Sequence, residues 1–152
     1  MVEEGAEAPD FELSSDNGKQ VRLSSFRGKP VVLYFYPRDD TPGCTTQASG
    51  IRDSYDDFGA RGAVVLGVSA DSEASHVKFK EKYGLPFTLL ADPTHEVSEL
   101  YGVWKEKNFG GKKYWGIQRS TFVIDPEGKV AKAMLRVKPD THAERVLAAL
   151  PS

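Results

Sequence analysis

The sequence predicts an α/β fold, a central mixed β-sheet with helices on both faces and an N-terminal β-hairpin. Three observations carry that expectation. Residues 31–36 (Val-Val-Leu-Tyr-Phe-Tyr) and 63–69 (Ala-Val-Val-Leu-Gly-Val-Ser) are apolar runs rich in β-branched residues, the mark of buried strands. Each is followed by a stretch with helical character, 46–58 and 71–83. Late in the chain, residues 120–124 and 130–134 flank Asp125-Pro126-Glu127-Gly128, a hairpin signal with proline at the second turn position. Strands alternating with helices and then a hairpin describe a sheet layered between helices.

Taken in order, residues 5–11 form an extended lead-in, because Pro9 disfavours helix at Ala8. Phe11-Glu12-Leu13 and Val21-Arg22-Leu23 pair across Asn17-Gly18 as a small hairpin. A short turn up to Gly28, then Lys29-Pro30, leads into the first buried strand. The helix behind that strand presents Ile51, Tyr55 and Phe58 on one face and ends near Gly59 or Gly62. Asp71-Ser72-Glu73 starts a second helix, stopped by Gly84, with Val77 and Phe79 as core contacts. Residues 89–93 close a short strand, and 95–101 make a short helix ended by Gly102. Residues 103–116, polar and glycine-containing, read as an exposed loop. A last helix over 141–150 carries Val146, Leu147 and Leu150 as its apolar stripe. With no repeat, low-complexity tract or linker, the 152 residues are expected to form a single domain over 1–152.

Composition narrows the function. A formal charge of −2 gives no electrostatic reason to expect nucleic acid or an anionic membrane as partner. The start, Met1-Val2-Glu3-Glu4-Gly5, has neither the basic residues nor the apolar run of a signal peptide. No apolar stretch approaches the roughly 20 residues that span a bilayer, so a cytoplasmic protein is expected. One cysteine excludes an internal disulfide and any Cys-x-x-Cys motif. His76, His95 and His142 are far apart and show no ligand spacing, so neither metal nor cofactor is expected.

That cysteine, Cys44, is the most informative residue. A lone cysteine is most often a small buried hydrophobe. Cys44 instead follows a polar, proline-punctuated turn. Thr41 suits a helix N-cap and Pro42 the first helical position, where its missing N–H costs nothing. Gly43 lets another group approach the backbone closely. Cys44 then falls among unpaired N–H groups at the positive end of the helix dipole, where a thiol ionises more easily than a free one.

Pro37-x-x-x-Thr41-x-x-Cys44 resembles the active-site motif of the peroxiredoxins, and the full run Tyr36-Pro37-Arg38-Asp39-Asp40-Thr41-Pro42-Gly43-Cys44-Thr45 is similar to their bacterioferritin-comigratory-protein, or Q-type, branch. Gly5-x-x-Ala8-Pro9-x-Phe11, Gly67-Val68-Ser69 and the run from Arg119 to Asp125 extend the likeness over nearly the whole chain. The resemblance implies a thioredoxin-like fold and thiol-dependent reduction of hydrogen peroxide and organic hydroperoxides. It assigns Cys44 as attacking sulfur, with Thr41, Pro37 and Arg119 around it. Arg119, Thr41 and the N–H groups of Gly43 and Cys44 become the donors that receive the substrate. Read from the residues alone, Arg119 is equally an ordinary surface arginine and Thr41 only a cap. Gln47, one turn after Cys44, faces the same side, where its amide could help fix Arg119, but it reads more readily as solvated; Trp104 and Trp115 read as loop packing.

The sequence departs from the branch it resembles at Ser49. Many members carry a resolving cysteine five residues after the first. Five helical residues place two side chains about 140° apart and about 7.5 Å along the axis. A disulfide needs α-carbons within about 7 Å, so such a helix must unwind to close one. With Ser49, a sulfenic acid on Cys44 calls for an external reductant: thioredoxin, glutaredoxin or a small thiol, among which the sequence does not choose. Ser49 fits a natural one-cysteine chain and an engineered replacement equally. The competing expectation is a stoichiometric redox sensor or interaction protein using the same thiol. A monomer is expected, since the branch is often monomeric and no sizeable apolar surface is evident.

Overall fold

The computed structural model describes residues 2–150. Strands β1 (Glu12–Ser15) and β2 (Gln20–Arg22) form the hairpin signalled by Asn17-Gly18, with Gly18 in the left-handed region its turn demands. A 3-10 turn, Leu23–Phe26, leads to β3 (Val31–Phe35), in which every residue is buried. There follow α1 (Pro42–Asp53), α2 (Tyr55–Ala60), β4 (Val64–Ser69), α3 (Glu73–Tyr83), β5 (Thr88–Ala91) and α4 (Glu96–Leu100). Strands β6 (Trp104–Phe109) and β7 (Lys112–Ile117) precede β8 (Ser120–Ile124), β9 (Val130–Leu135) and α5 (His142–Ala149).

Seven strands make one sheet in the order β2-β1-β5-β4-β3-β8-β9. Its centre, β5-β4-β3, is parallel, and β1, β8 and β9 join antiparallel. Parallel strands are covered on both faces, which is why their sequence is continuously apolar rather than alternating. Val32, Tyr34 and Tyr36 pack with Ile51, Phe58, Phe79 and Val146 from α1, α2, α3 and α5. Val31, Leu33 and Phe35 point the other way, onto Phe11, Leu23, Val97 and Tyr101. Helices therefore lie on both faces, but unequally: four on one, and α4 with the 3-10 turn on the other.

Three local expectations need correction. The helix behind β3 begins at Pro42, as Thr41-Pro42 anticipated, but it does not run unbroken to Phe58: it is interrupted at Ser54, where ψ is 12°. In α3 the core-facing pair is His76 and Phe79, while Val77 is only partly buried. Residues 103–116 are not a loop. They form the β6–β7 hairpin, whose two turn residues, Gly110 and Gly111, take φ of 60° and 83° as a two-residue primed turn requires. The Lys-Glu-Lys-Asn composition gives this ribbon no apolar face, so periodicity could not reveal it. Only its root is anchored, where Trp104 stacks on His95 at 4.1 Å and Ile117 is buried. Phe109, Tyr114 and Trp115 stand exposed, so Trp115 does not pack and the surface is less polar here than the sequence suggested. Among the described residues no helix is long and apolar enough to cross a membrane.

Close packing at the sheet centre depends on Gly67. The ring of Tyr34 lies across it from the neighbouring strand, and a methyl group at this position would stand 2.9 Å from Tyr34 Cζ and 3.0 Å from Leu89 Cδ2. Gly67→Ala is expected to lower the unfolding free energy by about 1–3 kcal/mol, measured by chemical denaturation. A change below about 0.5 kcal/mol would show that the ring yields freely.

Candidate active site

Ligands of α/β sheets gather outside the carboxyl ends of the parallel strands. Here the connections leaving β3 and β4 at that edge run into α1 and α3. Tyr36 continues β3 by donating its N–H to Val68 O at 3.0 Å, and Pro37, partly buried, then turns the chain away from the sheet. Thr41 is extended (φ −96°, ψ 156°) and Pro42 opens α1, as their residue types anticipated.

The first bond of the helix runs from Thr45 N–H to Thr41 O at 2.8 Å. Pro42 has no N–H, so the open donors of this turn are the N–H groups of Gly43 and Cys44. The Thr41 side chain does not cap the helix. Its hydroxyl donates to Arg38 O at 2.9 Å, leaving its lone pairs as the groups it can still offer. Cys44 is 2% exposed, as buried as any core cysteine. What separates it from a core residue is the polar company on one side.

Arg119 supplies that company. Phe35 pairs with Ser120, so Arg119, one step beyond, stands where β3 gives way to the cysteine loop. Its guanidinium lies on Gly43: a methyl group there would be 3.0 Å from Nη2 and 3.5 Å from Pro139 Cγ. Arg119 Nη1 donates to Gln47 Oε1. Gln47 is therefore not solvated. It is fully buried on the Cys44 face of α1, its amide orientation fixed by a partner that can only donate. The structure thus gathers Thr41, Gly43, Cys44 and Arg119 at one helix end, with Pro37 at the root of the loop. Ser49 sits further along α1, partly buried.

Two groups with no signal in the sequence also belong here. Lys107 of β6 reaches Ile117 O with its ammonium group, and burial, followed by the positive charge of Arg119, pushes its pKa down. His142 of α5 is fully buried, with Nε2 2.6 Å from Thr121 Oγ1 and its ring 5.6 Å from that of Tyr34. A third group, Asp39, Asp71 and His76, converges behind the loop. None of these contacts is local in sequence, which is why spacing arguments missed them.

The fold and the site define a class: a thiol placed at a helix N-terminus, under an arginine, on a thioredoxin-like sheet. Residues 5–133 match the AhpC/TSA family, and the chain belongs to it. Within it, the chain belongs to the peroxiredoxins of the Bcp, or Q, branch, which are thiol peroxidases. It is 51% identical to peroxiredoxin Bcp of Bacillus subtilis over 98% of this chain and 95% of that protein. The bacterioferritin comigratory protein of Xanthomonas campestris, described for its alkyl peroxide reduction activity, superposes with a TM-score of 0.90 at 42% identity, covering 97% of this chain and 96% of that one. Two cysteine-to-serine variants of Xanthomonas campestris peroxiredoxin Q, altered at different cysteines, superpose with TM-scores of 0.87 at 44% and 43% identity, each covering 91% of this chain and 88% of that one. That relative has more than one cysteine; this chain has Cys44 alone.

Burial, and then the charges of Arg119 and Arg145, push His142 down to about 3 from an ordinary value of 6.5. As pH falls below the ordinary value, the unfolded chain takes up a proton that the folded chain refuses, so stability is lost on the acid side, down to the folded pKa. Between pH 7 and pH 5 the protein is expected to lose about 2 kcal/mol more unfolding free energy than a His142→Gln variant. Equal losses in denaturation at the two pH values would contradict this.

Proposed function

We propose that this chain is a one-cysteine thiol peroxidase, in which Cys44 reduces hydrogen peroxide and organic hydroperoxides and is regenerated by an external thiol. The observation that carries the reading is the open first turn of α1. It offers two unpaired N–H groups beside the sulfur, and Arg119 is held against it by Gln47.

The Cys44 thiolate attacks the terminal peroxide oxygen, an S–O bond forms and the O–O bond breaks. The departing oxygen takes a proton from solvent and leaves as water or alcohol, and the sulfur, which keeps the attacked oxygen with its hydrogen, is oxidised to a sulfenic acid. A free thiol is a few per cent ionised at neutral pH, so complete ionisation gains only about thirtyfold, near 2 kcal/mol. Peroxidase rates ask for more, and the remainder comes from donors aimed where charge develops on the leaving oxygen. Arg119 and the N–H groups of Gly43 and Cys44 fill that role. Thr41, its own proton engaged by Arg38 O, accepts a hydrogen bond from the O–H of the incoming peroxide and orients it. Pro37 shields the sulfur from water without adding a donor.

The alkyl peroxide activity of the Xanthomonas relative supports organic hydroperoxides as substrates. Because position 49 is serine and no other cysteine exists, the sulfenic acid has no internal partner. An outside thiol attacks it, releasing water and leaving a mixed disulfide, which a second thiol resolves to return Cys44. Thioredoxin, glutaredoxin and small thiols all satisfy this chemistry. Every group named comes from a single domain of one chain, so a monomer suffices.

One equivalent of peroxide added to the reduced protein should give a single-oxygen adduct on Cys44 in the intact mass, and peroxide should be consumed continuously when a thiol donor is supplied. Oxidation that stops after one equivalent with every donor tried would identify a sensor. Arg119→Met is expected to slow Cys44 oxidation by about a hundredfold or more while unfolding remains cooperative. Near-native oxidation kinetics in that variant would remove Arg119 from the site.

A further inference from the structure

The loop between β3 and α1 is tied to α3 and the turn before it. At the near end of that helix, three side chains meet the buried Asp39 carboxylate, and the Asp39 backbone N–H makes a fourth tie. Tyr36 donates its hydroxyl to Oδ1 at 2.6 Å, and Ser75 donates its hydroxyl to Oδ2 at 2.8 Å. His76 Nδ1 lies 2.7 Å from Oδ2, and Asp39 N–H donates to Asp71 Oδ2 at 2.8 Å. Ser69 also donates to that Asp71 oxygen, at 2.7 Å. At the far end, Asp40, in the left-handed region at φ 56°, accepts from Tyr83 at 2.6 Å and from Lys82 at 2.8 Å.

The protonation state of His76 follows from its partners. Nε2 lies 2.9 Å from Leu90 O, a carbonyl that can only accept. Nδ1 faces a carboxylate whose other contacts are donors, so it too must donate. Both ring nitrogens then carry hydrogen, and the ring is an imidazolium paired with Asp39. Three titratable groups face it: Asp39 from the loop, Asp71 from the turn before α3 and Tyr36 from the end of β3. From β5 only the Leu90 carbonyl reaches it. Burial alone would lower the pKa of this ring, but the hydrogen bond and charge of Asp39 outweigh it and the net direction is up. Burial and the Asp39 charge keep the Tyr36 phenol far above its ordinary range, so it remains a donor. The Nδ1 proton of His76 lies along its contact with Asp39, while Asp71 is engaged by Asp39 N–H and Ser69.

We propose that His76, although it touches neither the sulfur nor the substrate, is a positioning residue for the peroxidase step. As the charged partner of Asp39, it fixes the loop that sets Thr41 and the open first turn of α1. This rests on the peroxidase reading above. Because the folded pKa is raised, the clamp is complete below about 6.5 and is released as pH rises through the folded value. The thiolate fraction moves the other way, growing with pH, so a fall in rate on the alkaline side separates loop release from thiol ionisation.

The experiment is stopped-flow oxidation of reduced Cys44 by hydrogen peroxide from pH 6 to pH 9, in the native protein and in His76→Gln. A glutamine amide can reach Asp39 or Leu90 O but cannot supply the charge or both bonds. The native rate constant is expected to fall at high pH. The variant is expected to be slower by about ten- to a hundredfold near neutrality and to lack the alkaline fall. Native-like rates in His76→Gln, or an alkaline fall that persists in it, would overturn the proposal. If the variant does not fold, nitrogen NMR of the native protein decides: both His76 ring nitrogens protonated at pH 7 and titrating together with the loss of rate support it, and a neutral ring at pH 7 overturns it. A native protein that is not oxidised at all would instead defeat the peroxidase reading.

Discussion

The guanidinium of Arg119 resting on the first turn of α1 is the contact on which the arrangement of the molecule turns. It requires β8 to run beside β3 in a register that delivers residue 119 to the cysteine edge of the sheet. It is helped by a glycine at 43, because even a methyl group there would press to 3.0 Å from the guanidinium and push it aside. It also requires a buried acceptor on the same helical face, which Gln47 supplies one turn beyond Cys44. Register, close approach and hydrogen bond come from three separate parts of the chain. Each is without purpose if the others are absent.

Much of this was legible beforehand, and unevenly. The parallel strands announced themselves because burial on both faces leaves no alternation to interpret. The hairpin at Asp125-Pro126-Glu127-Gly128 and the entry to α1 at Thr41-Pro42 were readable because turn chemistry is local. The β6–β7 ribbon was not, since its stability comes from cross-strand pairing and a stacked Trp104 rather than from an apolar stripe. Gln47 was seen to face the cysteine, but its burial depends on a residue far along the chain. His76 was invisible for the same reason: four separate segments converge on one ring. Thr41 was only half readable, correct in position and wrong in what its hydroxyl binds.

Two buried histidines show how far surroundings override residue type. His142, hemmed in by apolar surface and by two arginines, is held neutral. His76, equally enclosed but facing a carboxylate, is held charged. They sit on two helices of one layer, α3 and α5, and their responses to acid oppose one another. A change in pH therefore acts on this protein through two terms of opposite sign, and the net curve says little about either alone.

The depth of Cys44 sets a rule about traffic. An oxidant only two heavy atoms long can slip to a cysteine that is 2% exposed; a folded protein bearing its own reactive thiol cannot. In the proposed cycle, a macromolecular thiol donor would need the head of α1 to fray before it could reach Cys44. The two halves of a turnover would then belong to different shapes of the same helix, and the pace of recovery would be governed by how readily a few backbone bonds let go.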